Sequence, residues 1–242
     1  MSETIIIPDV HGRPFWRCAA MNPGKHRTVF LGDYLDPYPW EGIDPGEALS
    51  GLRHIIALKR AYPENVVLLL GNHDLGYLDP SVSDCRRDRL RECRIRSLLE
   101  ESLDLFDIVH VEGNAGRSVL FSHAGVAEGW VRRHADVLGP VDAFRPETLN
   151  GLLHGSAQER QTLFSILAEA SPYRGGPDDS GSPVWADVQE YLDGERLLDG
   201  YFHAFGHSLD ENGPVRVGDA GVCLDCARPF MLRDGTVSGQ GQ

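Results

Sequence analysis

The sequence predicts an α/β fold, in which short buried strands alternate with helices. Three apolar runs without polar alternation, at residues 4–7, 28–31 and 66–70, are typical of strands buried on both faces. Each run is followed at once by a cluster of Asp, His, Asn or Gly. Since α/β sheets build their sites at the carboxyl ends of strands, we expect these clusters to share one edge.

Length and composition predict a single soluble domain over residues 1–242. The hydrophobic fraction is 41%, and no apolar stretch approaches the roughly 20 residues that a membrane span requires. The N-terminus has no basic or apolar region of a signal peptide, and the five cysteines fit reduced thiols. We therefore expect a cytoplasmic protein. The net charge of −13 argues against broad binding to nucleic-acid backbones.

The first strand, at residues 4–7, ends in an Asp-x-His pair. Asp9 and His11 are separated by one residue, so in an extended segment both side chains leave the backbone on the same side. One metal ion could then take an oxygen from the aspartate and a nitrogen from the histidine.

The second strand leads into two carboxylates. Gly32 permits a sharp turn after the apolar run, and Asp33 and Asp36 follow it. A carboxylate placed just past the end of a strand can bridge two metal ions, and we expect Asp33 to do so.

A helix and a third strand come next. Asp44 reads as an N-cap, followed by a proline at the first helical position and by apolar residues at helical spacing. The strand at residues 66–70 ends in Gly-Asn-His-Asp, which places Asn72 and His73 at the same edge as the earlier clusters.

An arginine-rich helix is predicted over residues 84–103. It contains six arginines, at positions 86, 87, 89, 91, 94 and 96. One interpretation is a solvated face with i,i+4 ion pairs, such as Glu92 with Arg96. The other is phosphate recognition, which gains support because the segment follows a site cluster in an acidic chain.

The second half of the chain supplies two further strand ends. Residues 108–111 and 118–121 suggest a hairpin across Gly113 to Gly116, and its second strand ends before His123. Residues 127–200 read as a helical cap insertion. A strand at 201–205 then ends before His207, and residues 238–242 read as a disordered tail.

Taken in order, the five clusters resemble those of the calcineurin-like metallophosphoesterases. They read Asp-x-His-Gly, Gly-Asp-x-x-Asp, Gly-Asn-His-Asp, Ser-His-Ala-Gly and Gly-His. Within that superfamily the chain is similar to the phosphoprotein phosphatase branch and its bacterial relatives, including symmetrical diadenosine tetraphosphate hydrolases. The resemblance covers nearly the whole chain except the 127–200 segment. It implies a metallophosphoesterase-type sandwich of two mixed β-sheets flanked by helices.

The resemblance also implies roles for the site residues. The first metal would be held by Asp9, His11 and Asp33. The second metal would be held by Asp33, Asn72, His123 and His207, so that Asp33 is the bridge. His73 would be the general acid, oriented by Asp36.

The expected reaction needs two divalent ions that share a bridging hydroxide, which attacks the phosphorus in line. Three imidazoles among the ligands favour transition metals, Mn first and then Fe or Zn. His73 could protonate the leaving oxygen near neutral pH.

Two departures from the family patterns sharpen the expectation. Leu209 stands where many nucleases of the superfamily have the last histidine of Gly-His-x-His, which favours the phosphatase-like branch. Pro37 stands where phosphoprotein phosphatases usually have a phosphate-binding arginine. Another cation must then hold the phosphate, and the candidates are Arg86, Arg87 and Arg174.

Three functions remain open. The preferred one is hydrolysis of a phosphomonoester carried by a small molecule, nucleotide or phosphopeptide. The second is cleavage of a phosphoanhydride in a dinucleoside polyphosphate, such as diadenosine tetraphosphate. The third is a catalytically inactive scaffold for partner binding, which is disfavoured because every ligand position and the His73/Asp36 pair are present.

Overall fold

The structure is a computed structural model that describes residues 3–20, 22–79, 82, 86–113 and 117–239. The chain divides into two compact units. The first unit comprises Met1–Phe106 and Ala227–Gln242, and the second comprises Asp107–Cys226. The described residues form two mixed β-sheets with flanking helices, which confirms the predicted α/β class.

The elements are numbered in chain order. The strands are β1 (Thr4–Ile7), β2 (Arg27–Phe30), β3 (Val66–Leu69), β4 (Phe106–Asp107), β5 (Val109–Glu112), β6 (Ser118–Ser122), β7 (Tyr201–Phe205), β8 (Val215–Val217), β9 (Gly221–Cys223), β10 (Phe230–Arg233) and β11 (Thr236–Gly239). The helices are α1 (Trp16–Ala19), α2 (Pro45–Ala61), α3 (Asn72–Leu78), α4 (Glu92–Glu100), α5 (Glu128–Arg133), α6 (Ala135–Leu138), α7 (Thr148–His154), α8 (Ala157–Leu167) and α9 (Val188–Leu192).

The sheet of the first unit has the order β11-β10-β1-β2-β3-β4. β1, β2 and β3 run parallel, and Val29 of β2 pairs with Ile6 on one side and Val67 on the other. Every residue of β1 and β3 is buried, as expected for strands that are covered on both faces. The three carboxyl ends therefore meet at one edge of this sheet.

Two helices of the first unit test the sequence expectations. Asp44 caps α2 by accepting hydrogen bonds from Gly46 N at 2.7 Å and Glu47 N at 3.3 Å, as predicted. The arginine-rich helix is shorter than the predicted 84–103, because α4 begins only at Glu92. The carboxylate of Asp88 instead accepts from two backbone N–H groups just before the helix and stabilises a turn there.

The sheet of the second unit has the order β5-β6-β7-β9-β8. β6 and β7 are parallel, with Leu120 opposite His203, so the residues that follow these two strands lie at the same edge. β5 pairs antiparallel with β6, as the predicted hairpin requires. Residues 114–116 of the predicted turn lie outside the described part of the chain.

The segment at 127–200 is largely helical, as predicted, and connects β6 to β7 within the second unit. Asn150 of α7 attaches it to β5. Its Oδ1 accepts hydrogen bonds from Ile108 N at 2.9 Å and Val109 N at 3.1 Å. Its Nδ2 donates to Val109 O at 2.8 Å. The segment is thus built into the sheet of its own unit, and its action as a cap stays a prediction.

The predicted disordered tail is wrong in part. Ser238 and Gly239 belong to β11, which pairs with Met231 and Phe230 of β10, because alternation continues to the end of this hairpin. Residues 240–242 lie outside the described part.

The single domain stays a prediction. Among the described helices, none has the length and apolarity needed to cross a bilayer.

Candidate functional site

The predicted site residues have unusual backbone geometry. His11, Asp33, Asp36 and His207 have φ values of 42°, 51°, 59° and 71°, in the left-handed region that non-glycine residues rarely adopt. Such conformations cost about 1–3 kcal/mol each and persist where the surrounding structure fixes them. The strand ends are therefore strained at the residues that the sequence singled out.

Two glycines let the loops after β2 and β3 approach each other. A Cβ at Gly71 would lie 2.2 Å from Asp33 Oδ1, and a Cβ at Gly32 would lie 2.5 Å from Gly71 N. Any larger residue at either position would push the loops apart. The contact brings Asp33 against the first turn of α3, where His73 N donates to Asp33 Oδ1 at 3.0 Å.

His11 has a defined tautomer. Its Nδ1 lies 2.8 Å from Leu35 O, and because a carbonyl oxygen can only accept, Nδ1 carries the proton. Nε2 is then the atom able to bind a metal, and it lies 3.5 Å from Asp33 Oδ2. Burial lowers the pKa of His11 to about 3, which keeps the imidazole neutral as metal binding requires.

Asp74 is a site residue that the sequence analysis left without a role. Its carboxylate accepts hydrogen bonds from Asp33 N at 2.8 Å, Tyr34 N at 3.2 Å and Gly71 N at 2.9 Å. Asp74 thereby fixes the loop that carries Asp33 to the start of α3. Burial, and then the charge of Asp33, raise the pKa of Asp74. The sequence signal for a role of Asp74 was its position as the last residue of the Gly-Asn-His-Asp cluster.

These side chains form a cluster that could hold a metal ion. One ligand atom each from His11, Asp33 and His73 lies within 4.8 Å of the others, and all three residues are buried. Asp9 and Asn72 are also buried, at the end of β1 and the start of α3. A mixed set of imidazole and oxygen donors fits Mn, Fe or Zn.

His73 nevertheless has partners on both ring nitrogens. Nδ1 lies 2.8 Å from Asp36 Oδ2, and Nε2 lies 3.2 Å from Arg86 Nη2. Because a carboxylate accepts and a guanidinium donates, the proton sits on Nδ1 and Nε2 is the acceptor. A guanidinium beside Nε2 also disfavours a metal ion at that atom. This geometry favours a proton-transfer role for His73 over a metal-ligand role.

The second unit contributes two adjacent histidines. His123 Nε2 lies 3.1 Å from His207 Nδ1, and both residues are buried. Gly206 N donates to His123 O at 2.7 Å, which joins the segments that follow β6 and β7. Trp185 packs against His207 with ring centroids 5.7 Å apart. Two imidazoles so close together could bind the same metal ion.

Comparison with known proteins decides the family. A family profile described as calcineurin-like phosphoesterase matches residues 4–210. The chain belongs to the calcineurin-like phosphoesterase family. It is therefore a phosphoester hydrolase, and its family depends on binuclear metal centres. The resemblance found in the five strand-end clusters is confirmed.

Solved structures agree on the fold of this phosphoesterase. A cold-active protein-tyrosine phosphatase of a psychrophilic Shewanella species superposes with a TM-score of 0.61 at 15% identity, covering 99% of this chain and 80% of the other. A protein serine/threonine phosphatase from Saccharomyces cerevisiae gives a TM-score of 0.51 at 14% identity, covering 95% of this chain and 72% of the other. At such identities the likeness concerns the fold alone.

The arginine candidates of the phosphoesterase differ in their surroundings. Arg86 stacks on the ring of Tyr38, with its guanidinium carbon 3.7 Å from the ring centroid, and donates to Asp36 O at 3.3 Å. Arg87 points inward, with its side chain only 6% exposed and 3.3 Å from Glu92. Arg86 is thus the candidate of the first unit that reaches His73.

Arg174 of the second unit contacts the loop that carries His207. Its guanidinium donates to His207 O at 3.2 Å and to Ser208 Oγ at 2.9 Å, and it lies 2.7 Å from a carboxylate oxygen of Asp187. These contacts fix the backbone after β7. Phosphate binding by Arg174 stays a prediction.

Asp36 has a second partner that the sequence analysis missed. Tyr77 Oη donates to Asp36 Oδ1 at 2.5 Å, while His73 holds the other carboxylate oxygen. Burial, followed by the charge of Asp36, raises the pKa of Tyr77. The one signal in the sequence was the spacing of four residues between His73 and Tyr77, which places both on one helix face.

His203 has a structural environment. It is fully buried on β7, and Nε2 donates to Leu198 O at 2.9 Å, while Nδ1 has no hydrogen-bond partner within the described residues. Burial lowers the pKa of His203 to about 4, because a second proton on Nδ1 would find no acceptor.

Proposed function

We propose that the chain is a binuclear metal-dependent phosphatase that hydrolyses phosphomonoesters. Asp33 would be the ligand shared by the two ions. The first ion would be held by Asp9, His11 and Asp33. The second ion would be held by Asp33, Asn72, His123 and His207. The proposal is supported by the family, by the buried cluster around Asp33 and by the paired histidines of the second unit.

When bound, the ions supply an activated water and positive charge for the phosphoryl oxygens. The protein groups prepare the ligands for that task. Leu35 O fixes the tautomer of His11, and Asp74 fixes the backbone around Asp33. Such outer partners orient the ligating atoms. Manganese is the preferred ion, with Fe or Zn as alternatives, because the set mixes oxygen and imidazole donors.

The observation that carries the proposal is the contact between Asp36, His73 and Arg86. In the proposed reaction Nε2 takes up a second ring proton from solvent once Arg86 no longer donates to it. The resulting imidazolium gives that proton to the leaving oxygen as the phosphorus–oxygen bond breaks. Asp36, 2.8 Å from Nδ1, orients the ring and stabilises the imidazolium that donates. This contact supports the roles proposed for His73 and Asp36.

Arg86 takes the place of the phosphate-binding arginine that Pro37 replaces. Its guanidinium lies 3.2 Å from His73 Nε2, at the atom from which the leaving oxygen takes its proton. A phosphate bound by Arg86 would draw the guanidinium away from Nε2 and leave that nitrogen facing the leaving oxygen. Arginine suits this task because its planar fork matches phosphate oxygens.

One observation favours the second candidate, hydrolysis of a dinucleoside polyphosphate. Trp40 is 72% exposed, although its ring packs 4.6 Å from that of Tyr38, on which Arg86 also stacks. The general acid must touch the leaving oxygen, so the leaving group emerges beside His73 and Arg86. An exposed indole near that path could stack on a nucleobase.

A substrate panel tests both candidates. The manganese-loaded protein is assayed on p-nitrophenyl phosphate, bis-p-nitrophenyl phosphate and diadenosine tetraphosphate. The preferred function predicts the highest kcat/KM on the monoester. Preference for the diester would contradict the inference from Leu209, and no turnover of any substrate would favour the inactive scaffold.

Variants at Trp40 separate the two candidates further. If the indole binds a nucleobase, Trp40→Ala lowers kcat/KM for diadenosine tetraphosphate by about tenfold and leaves p-nitrophenyl phosphate unchanged. Tyr62→Ala, at another exposed aromatic residue, is the matched control and affects neither substrate. Equal rates for Trp40→Ala and wild type on the dinucleotide would remove the support for the second candidate.

A cytoplasmic location stays a prediction of the sequence.

A further inference from the structure

We propose that Tyr77 is a positioning residue for the general acid. Its hydroxyl holds Asp36 in the orientation that keeps His73 aligned with the leaving oxygen. This inference rests on the proposed function, since it assumes that His73 protonates the leaving group. It goes beyond that function because the hydroxyl of Tyr77 contacts Asp36 and the backbone of Asp88, and so acts on His73 only through Asp36.

The geometry places Asp36 between two donors from one helix. His73 and Tyr77 are four residues apart on α3, so their side chains project from the same face. His73 Nδ1 lies 2.8 Å from Asp36 Oδ2, and Tyr77 Oη lies 2.5 Å from Asp36 Oδ1. Each carboxylate oxygen therefore has its own partner, which fixes the plane of the carboxylate.

The tyrosine hydroxyl is itself oriented. Asp88 N donates to Tyr77 Oη at 2.8 Å, and a backbone N–H can only donate. The single proton of the hydroxyl is thus committed to Asp36. Since Tyr77 is fully buried, water does not compete for this arrangement.

Asp36 lies on a loop beyond the end of β2, with a φ of 59° in the left-handed region. Without the tyrosine hydroxyl the carboxylate could rotate about its last side-chain bond, and the imidazole would follow. Small losses of alignment of this kind reduce the rate of the step that they serve.

A purely structural role is the competing explanation, because a buried tyrosine hydroxyl usually finds a partner. Tyr34 provides the comparison within the same unit. It is also fully buried, but its hydroxyl donates to a backbone carbonyl, Leu69 O, at 2.9 Å. Tyr34→Phe therefore removes a buried hydroxyl without touching the acid, which makes it the matched control.

The experiment compares Tyr77→Phe with wild type, Tyr34→Phe and His73→Ala on two substrates, all as manganese-loaded full-length chains. p-Nitrophenolate is a good leaving group that departs without a proton, whereas the alkoxide of glycerol 2-phosphate requires one. The ratio of kcat/KM between the two substrates cancels losses that affect both equally. It therefore reports on protonation of the leaving group.

We expect Tyr77→Phe to lower kcat/KM for glycerol 2-phosphate by about tenfold, the effect of one charge-assisted hydrogen bond. Its kcat/KM for p-nitrophenyl phosphate should change less than about twofold, by the same argument. His73→Ala should show the same selectivity with a larger loss. Tyr34→Phe should keep the wild-type ratio.

The outcomes separate the inference from the function on which it rests. Equal losses on both substrates in His73→Ala would contradict the proposed acid. A selective loss in His73→Ala with an unchanged ratio in Tyr77→Phe would overturn the role of Tyr77 alone. If Tyr77→Phe does not fold, 3-fluorotyrosine at position 77 replaces it, since it strengthens the donor. A ratio equal to wild type would then overturn the inference.

Discussion

The two units of the phosphoesterase support their site residues in different ways. In the first unit, side chains hold the functional side chains themselves, as Tyr77 does for the carboxylate of Asp36 and Asp36 does for the imidazole of His73. In the second unit, Arg174 donates to His207 O and Ser208 Oγ, so it fixes the loop that carries His207 and not the imidazole itself. The first arrangement orients acids and carboxylates, and the second places imidazoles.

This difference suggests a division of labour between the units. The first unit contains the proposed acid, the proposed bridging carboxylate and the candidate phosphate-binding cation. The second unit contains His123 and His207, the proposed histidine ligands. Changes in the first unit, other than at the ligands, should then affect the chemical step or phosphate binding. Changes near His123 and His207 should affect metal affinity.

The largest effect is expected for His73→Ala. Loss of a general acid reduces the rate by roughly 10²–10⁴ for a substrate with a poor leaving group. The metal content should be unchanged, because both nitrogens of His73 lie against Asp36 and Arg86. Turnover of glycerol 2-phosphate and elemental analysis of the same samples measure the two quantities. Loss of metal from this variant would mean that His73 is a ligand.

A smaller effect separates the two arginines. Arg86→Ala should weaken inhibition by inorganic phosphate by about ten- to hundredfold, the value of a charge-assisted contact, with normal metal affinity. Arg174→Ala should instead lower metal affinity by about tenfold, because it loosens the loop of His207. Phosphate inhibition constants and manganese titrations test the pair. The reverse pattern would show that Arg174 binds the phosphate.

The smallest effect concerns a histidine outside the centre. The pKa of His203 is about 4 in the folded protein, below its ordinary value of 6.5, so the unfolded chain binds more protons between these values. This contribution to stability is complete above pH 6.5 and is lost as the pH falls towards 4. Between pH 7 and pH 5 it decreases by about 2 kcal/mol.

His203→Gln should therefore flatten the pH dependence of the free energy of unfolding by that amount, while an amide still donates to Leu198 O. Chemical denaturation at pH 7 and pH 5 measures the change. His154→Gln, at an exposed histidine, serves as the control and should keep the wild-type dependence. An unaltered dependence in His203→Gln would mean that this histidine is not the buried neutral group described above.

The sequence predicted the strand ends well because two simple signals coincide there. Unalternating apolar runs mark buried strands, and Asp9, Asp33 and His73 follow such runs directly. The contact between His73 and Asp36, implied by the resemblance, is present at 2.8 Å. Parallel strands bring their ends to one edge, so positions along the chain translated into neighbours in space.

Other features depend on side chains that meet only after folding. Arg86 and Arg87 are adjacent in the sequence, yet Arg86 has a left-handed φ of 56° and reaches His73, whereas Arg87 turns inward to Glu92. The helix predicted over residues 84–103 was also too long at its start, because the side chain of Asp88 fixes a turn there. Local sequence patterns do not predict which side chains come into contact after folding.

The central claim is that the proposed binuclear centre has Asp33 as its bridging ligand. Elemental analysis of manganese-loaded wild type, His207→Ala and Asp33→Ala tests it directly. The account predicts two ions per chain in wild type, one in His207→Ala and fewer than one in Asp33→Ala, since only the last variant removes a ligand from both ions. Two ions retained in Asp33→Ala would contradict it.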